Sequence, residues 1–119
     1  MIQAVENYIE ALFPQATFGQ IADEDSVMNL NIFDTGNNPF FKDGKTHIFK
    51  INLFIRDTSY EVMQKLNEEV GIALNNIYDV DTENIHIVNT KKTSSQEPFR
   101  DEKNRYNIQS SFEMLLEEV

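Results

Sequence analysis

Hydrophobic and polar positions alternate with a period of two in THIFKINLFIR, residues 46–56. The odd positions His47, Phe49, Ile51, Leu53 and Ile55 form a nearly continuous apolar row, and Ile48, Lys50, Asn52, Phe54 and Arg56 form a mixed opposite face. That pattern predicts a strand well inside a sheet. Directly after it the period changes to that of a helix: Val62, Leu66, Val70, Ala73 and Ile77 recur at helical spacing, with Met63 and Leu74 beside them. Thr58 followed three residues later by Glu61 reads as a capping box at the start of this helix. One face of the helix must therefore lie on the sheet.

The remaining pattern fills in around this unit. Ile2, Val5, Ile9 and Leu12 predict a short amphipathic helix closed by Pro14. Ala16 to Ile21 suggests a strand weakened by Gly19, and Met28, Leu30 and Ile32 alternate with Asn29 and Asn31 in a clearer one, expected antiparallel to the first. Asp34 to Lys45, rich in Gly, Asn and Asp, predicts a loop or long hairpin tip. Asp79 to Glu83 reads as a polar turn, Ile85 to Thr90 as a strand that runs out at Lys91-Lys92, and residues 93–104 as a second long polar connection. The cleanest alternation comes last, with Tyr106, Ile108, Ser110, Phe112, Met114 and Leu116 on one face. Leu115 alone interrupts the polar face of this closing strand.

A single α+β domain over residues 1–119 satisfies every apolar row. The expected architecture is a two-layer sandwich, a mainly antiparallel sheet of four to five strands with two helices packed on one face. The chain has no cysteine, which excludes a disulfide framework, a thiolate zinc site and a cysteine nucleophile. Its opening, MIQAVENYIE, lacks a basic n-region and a long apolar run, so a soluble cytosolic protein without membrane attachment is expected.

Charge sharpens the picture. A formal net charge of -10 argues against tight binding to a nucleic-acid backbone. Lys91, Lys92, Arg100, Lys103 and Arg105 nevertheless gather half of the 10 cations in one late segment. Such a segment is either a mixed solvated surface or a contact to an acidic face of a neighbouring subunit, with Arg100, Lys103 and Arg105 as the candidate contacts. Phe40 and Phe41, followed by Lys42, stand in an otherwise polar loop. They either fold back on the sheet edge or project as interface anchors.

Catalytic and metal patterns fail on inspection. Asp79-x-Asp81-x-Glu83 resembles the opening of a calcium loop, but Asn84 stands where glycine is needed and Thr90 where glutamate is needed. His47 and His86 lie in predicted strands without the further ligands a metal requires. Glu68 and Glu69 are helix neighbours that do not face each other, and the four glycines are too scattered for a phosphate loop. No cofactor, metal or enzymatic activity is expected.

The short first helix ending in LFP, the strand-rich middle with a long loop, the unit IFKINLFIRDTSYEVMQKL and the terminal RYNIQSSFEMLLEE together resemble the tail terminator, or minor capsid, proteins of long-tailed bacteriophages and prophages. The resemblance covers almost the whole chain and is one of element order and texture. It implies a sheet packed against two helices and a structural virion role. Hexameric rings of such proteins cap the finished tail tube, end its polymerisation and join it to the head connector. The implied partners are other copies of the chain, the major tail tube protein and a head-completion protein, with DNA only passing through the lumen. The implied location is the head-proximal end of the virion tail, after assembly in the host cytoplasm. On this reading Asp23, Glu24 and Asp25 are candidates for an acidic, DNA-repelling lumen. The competing class is a small acidic module that binds or inhibits a protein by mimicking nucleic acid, against which the basic segment counts.

Overall fold

The computed structural model describes residues 1–20, 25–35 and 44–119. Helix α1 (Ile2–Leu12) precedes strands β1 (Thr17–Phe18), β2 (Met28–Asp34) and β3 (Thr46–Asp57). Helix α2 (Tyr60–Asn75) follows, then β4 (Tyr78–Thr82), β5 (Ile85–Ser95), β6 (Phe99–Arg100) and β7 (Tyr106–Glu118). All seven strands join one sheet in the order β1-β2-β3-β7-β5-β4, with β6 also paired to β7.

The two strongest period-two rows form its centre. β3 and β7 pair antiparallel from Thr46↔Glu117 to Asp57↔Tyr106, which sets Phe49, Ile51, Leu53 and Ile55 beside Met114, Phe112, Ser110 and Ile108. Met28, Leu30 and Ile32 of β2 continue the same rows. With Ala4, Val5 and Ile9 of α1 and Met63, Val70 and Leu74 of α2 they make one buried cluster. Each fully buried Leu, Ile, Phe or Met there contributes roughly 1.5–3 kcal/mol relative to its exposed state. α2 meets β3, β5 and β7, and α1 meets β2.

The mixed helix-and-sheet architecture matches the expected class, but the sheet has more strands than four or five. The extra ones are short or polar. Tyr78–Thr82 is an edge strand paired to β5 rather than a turn, because at an edge Asp79 and Asp81 can face water while Val80 stays on the core side. Residues 93–104 are shorter as a connection than their polarity suggests: β5 reaches Ser95, and Phe99 and Arg100 pair again with Asn107 and Tyr106. β1 runs parallel to β2, with Thr17 opposite Asn29, not antiparallel.

Two local details also differ. The cap of α2 is Ser59, whose side chain accepts from Val62 N at 3.3 Å, while Asp57 Oδ1 accepts from Ser59 N at 2.8 Å. The buried face of the helix runs through Met63, Val70 and Leu74, and Val62 is left 50% exposed. In β5 a register shift between Ile87 and Asn89 reverses the alternation, so Thr90 is buried and Asn89 exposed.

Candidate interaction surfaces

Three surfaces carry concentrated chemistry: the β6–β7 turn, the face of the sheet opposite the core, and the sheet end where β3 begins and β7 finishes.

The turn is built around Asp101. Its Oδ1 accepts from the backbone N–H groups of Lys103 (2.9 Å) and Arg105 (3.0 Å), and its Oδ2 from Arg105 Nε (2.9 Å) and Asn107 Nδ2 (3.2 Å). Burial alone would raise this carboxyl, but hydrogen bonds from the backbone of Arg105, the amide of Asn107, the backbone of Lys103 and the Arg105 guanidinium hold it down at about 2. Asn104 completes the turn with φ of 60°, a left-handed conformation that Asn tolerates. Arg100 lies over the Tyr106 ring at 5.7 Å.

On the open face, strand register lays the side chains out in cross-strand rows. Tyr78, Asn89, Leu115 and Ile48 form one. Lys91, Glu113, Lys50 and Phe33 form the next, a ladder of alternating charge ending in an aromatic ring. Ser94, Ser111, Asn52 and Asn31 form the third, with Ser111 Oγ donating to Asn52 Oδ1 at 2.9 Å. Gln109, Phe54, Asn29 and Thr17 follow. The last two rows floor a hollow of about 520 Å³ whose described lining holds amides, hydroxyls, Phe54 and Arg56, with no carboxylate or imidazole. Arg56 closes one side, its Nε donating to Ser26 O at 3.0 Å and its guanidinium 5.0 Å from the Phe54 ring centre. Burial, then the nearby Arg105, pushes the Arg56 guanidinium below its ordinary value, against the pull of Asp101 and Asp25. Such a surface offers side-chain hydrogen-bonding groups, since the strand backbones beneath it are already paired.

At the far end stand the two histidines. His47 Nδ1 is 3.1 Å from Asp34 Oδ2 and its Nε2 3.7 Å from Glu118 Oε1. His86 Nδ1 is 2.7 Å from Asp81 Oδ1 and its Nε2 3.4 Å from Asp79 Oδ1. The hydrogen bond to Asp81 raises His86 above its ordinary value of 6.5; partial desolvation opposes it, and the charges of Asp81, Asp79 and Glu117 add to it. Among the described residues no group of three or more His, Cys, Asp or Glu side chains is arranged to hold a metal ion.

The sequence-predicted site residues distribute unevenly over these surfaces. Arg100 and Lys103 are exposed at the β6–β7 turn, whereas Arg105 is half-buried and tied to Asp101. Asp25 is exposed just before β2 and acts electrostatically on Arg56. Asp23 and Glu24, and Phe40, Phe41 and Lys42, lie outside the described residues. Asp79 and Asp81, considered as calcium ligands, instead face His86. The amide-lined hollow was missed because its residues come chiefly from four strands, β2, β3, β5 and β7, and only their register brings them together. The one available signal was the run of Asn, Gln and Ser at alternate positions of the strongest strands. Among the described residues no helix is long and apolar enough to cross a membrane.

No protein-family model matches the chain, and no curated protein matches it significantly. Among solved structures, a chain of the virion of a native gene transfer agent particle has a similar fold. The two share 16% sequence identity with a TM-score of 0.57, over 92% of this chain and 84% of that one.

Proposed function

We propose that this protein is a structural component of a phage-like virion, and that it serves as the tail terminator: a ring of copies, six by the family resemblance, that ends tail-tube polymerisation and joins the tube to the head connector. The observation that carries the reading is the fold likeness to a chain of a gene transfer agent virion along nearly the whole length. It adds to the resemblance in element order read from the sequence.

A ring closed by head-to-tail contacts requires two different patches on each subunit. The β6–β7 turn with Arg100 and Lys103 and the carboxylate-rich end near Glu117 and Glu118 lie at opposite ends of β7 and differ in charge. They are the pair assigned to neighbouring copies. Phe40, Phe41 and Lys42 are assigned to the tube or connector, and Asp23, Glu24 and Asp25 to the lumen, where carboxylates repel passing DNA phosphate.

The test is to assemble particles with and without this protein and image the tails. Tails of uncontrolled length that fail to join heads are expected in its absence, and tails of normal length overturn the role. Replacing Phe40 and Phe41 by Ser should weaken attachment to the tube and leave the melting temperature nearly unchanged. A large drop in melting temperature would make the two rings part of the core.

A further inference from the structure

The chain contains two histidines, and register places both at one end of the sheet, on opposite faces. His47 lies in β3, between Asp34 at the end of β2 and Glu118 at the end of β7. His86 lies in β5, directly opposite Asp81 of β4 on one side and Glu117 of β7 on the other. The carboxylates therefore divide between the two faces, Asp34 and Glu118 beside His47 on one and Asp79, Asp81 and Glu117 beside His86 on the other, where they join β4, β5 and β7.

We propose that the His86 cluster is a proton-operated clasp. With the imidazole charged it ties β4 to β5 and β7; with the imidazole neutral it leaves three carboxylates, Asp79, Asp81 and Glu117, around an uncharged ring and releases β4 at the sheet edge.

Two features support this besides the distances. β4 is an edge strand held chiefly by β5, so it can open without breaking the pairing of any other strands. Asp79 within it has φ of 52°, a left-handed backbone that a non-glycine residue adopts at a cost and keeps only while its surroundings hold it there. The groups facing His86 are Asp79 and Asp81 from β4 and Glu117 from β7; those facing His47 are Asp34 from β2 and Glu118 from β7. Lys45, immediately before β3, and Lys91, further along β5, are the lysines nearest in sequence.

The sign follows from the arrangement. A histidine raised by its partners favours the closed form below its unfolded value of 6.5, and that contribution is lost as pH climbs through the raised one. Opening β4 would uncover the edge of β5, a ready template for strand addition by a neighbour. The clasp at His86 thus gives the fold a way to expose an assembly edge in response to pH, whether or not the protein terminates a tail.

The experiment follows the His86 imidazole by NMR between pH 5.5 and 8.5 and measures amide-exchange protection in β4 over the same range, corrected for intrinsic exchange. Protection in Tyr78–Thr82 is expected to fall several-fold through the His86 midpoint while the β3–β7 amides stay unchanged. His86→Gln should make β4 protection low and independent of pH. Asp81→Asn, which keeps the histidine, should move the His86 midpoint down and the β4 transition with it. Protection that stays flat through the titration, or a transition that survives in His86→Gln, overturns the proposal.

Discussion

Asp101 shows how a residue read as background becomes the one that fixes a turn. Four donors converge on its two oxygens, so the ionised form is favoured and the carboxyl is held at about 2 rather than 3.8. A carboxyl lowered in the fold stabilises it above the ordinary range and loses that effect as pH falls toward about 2. NMR titration of the Asp101 side chain should find its midpoint near that value; a midpoint at 3.8 would show that the four hydrogen bonds do not persist in solution. Asp101→Asn keeps the shape but removes the charge, and should lower amide protection at Phe99 and Arg100 while leaving β3 untouched. Part of this was legible in the sequence, because Asp101 and Arg105 stand four apart around an Asn. Arg105 reads there as a cation awaiting a partner, and only the turn shows that its partner is Asp101.

Elements were legible where periodicity was long and unbroken. The β3 and β7 rows appear in the structure residue for residue, since a one-residue slip would turn every apolar side chain to water. Legibility failed where the period breaks within a strand, as at Val88 in β5. It also failed where a strand is too polar to show a period, as in β4, while β1 was legible as a strand but too short to show its parallel direction against β2. Helix α2 gives two tests at this scale. Ser59→Ala should cost about 1 kcal/mol in denaturant unfolding and Thr58→Ala much less, because Ser59 holds the capping bond; the reverse ranking would restore Thr58 as the cap. Gly71 sits inside the helix, and a Cβ built on it meets nothing within 4 Å. Gly71→Ala should therefore raise stability by roughly 0.5–1 kcal/mol, with the slope against denaturant unchanged.

The molecule as a whole takes its shape from β7. Thirteen residues at about 3.3 Å each span about 43 Å, close to the long dimension of 48 Å. The two ends of that strand therefore lie nearly the full length of the protein apart, and their chemistry differs: Arg100 and Lys103 at one, Glu117 and Glu118 with the histidines at the other. If copies meet end to end in a ring, contact between these patches should weaken as salt rises, because both are exposed and screened. Arg100→Glu with Lys103→Glu should then abolish rings formed with the tube protein at 0.1 M salt. The melting temperature should fall only slightly, since both side chains are exposed, although the stacking of Arg100 on Tyr106 is lost. Arg105→Glu serves as the contrast. It breaks the pair with Asp101 and should destabilise the turn itself, so a loss of rings in that variant would report on folding rather than contact. Rings of normal yield from the Arg100 and Lys103 double variant would remove the β6–β7 turn from the interface, and the contact would then be sought on the open face with its amide-lined hollow.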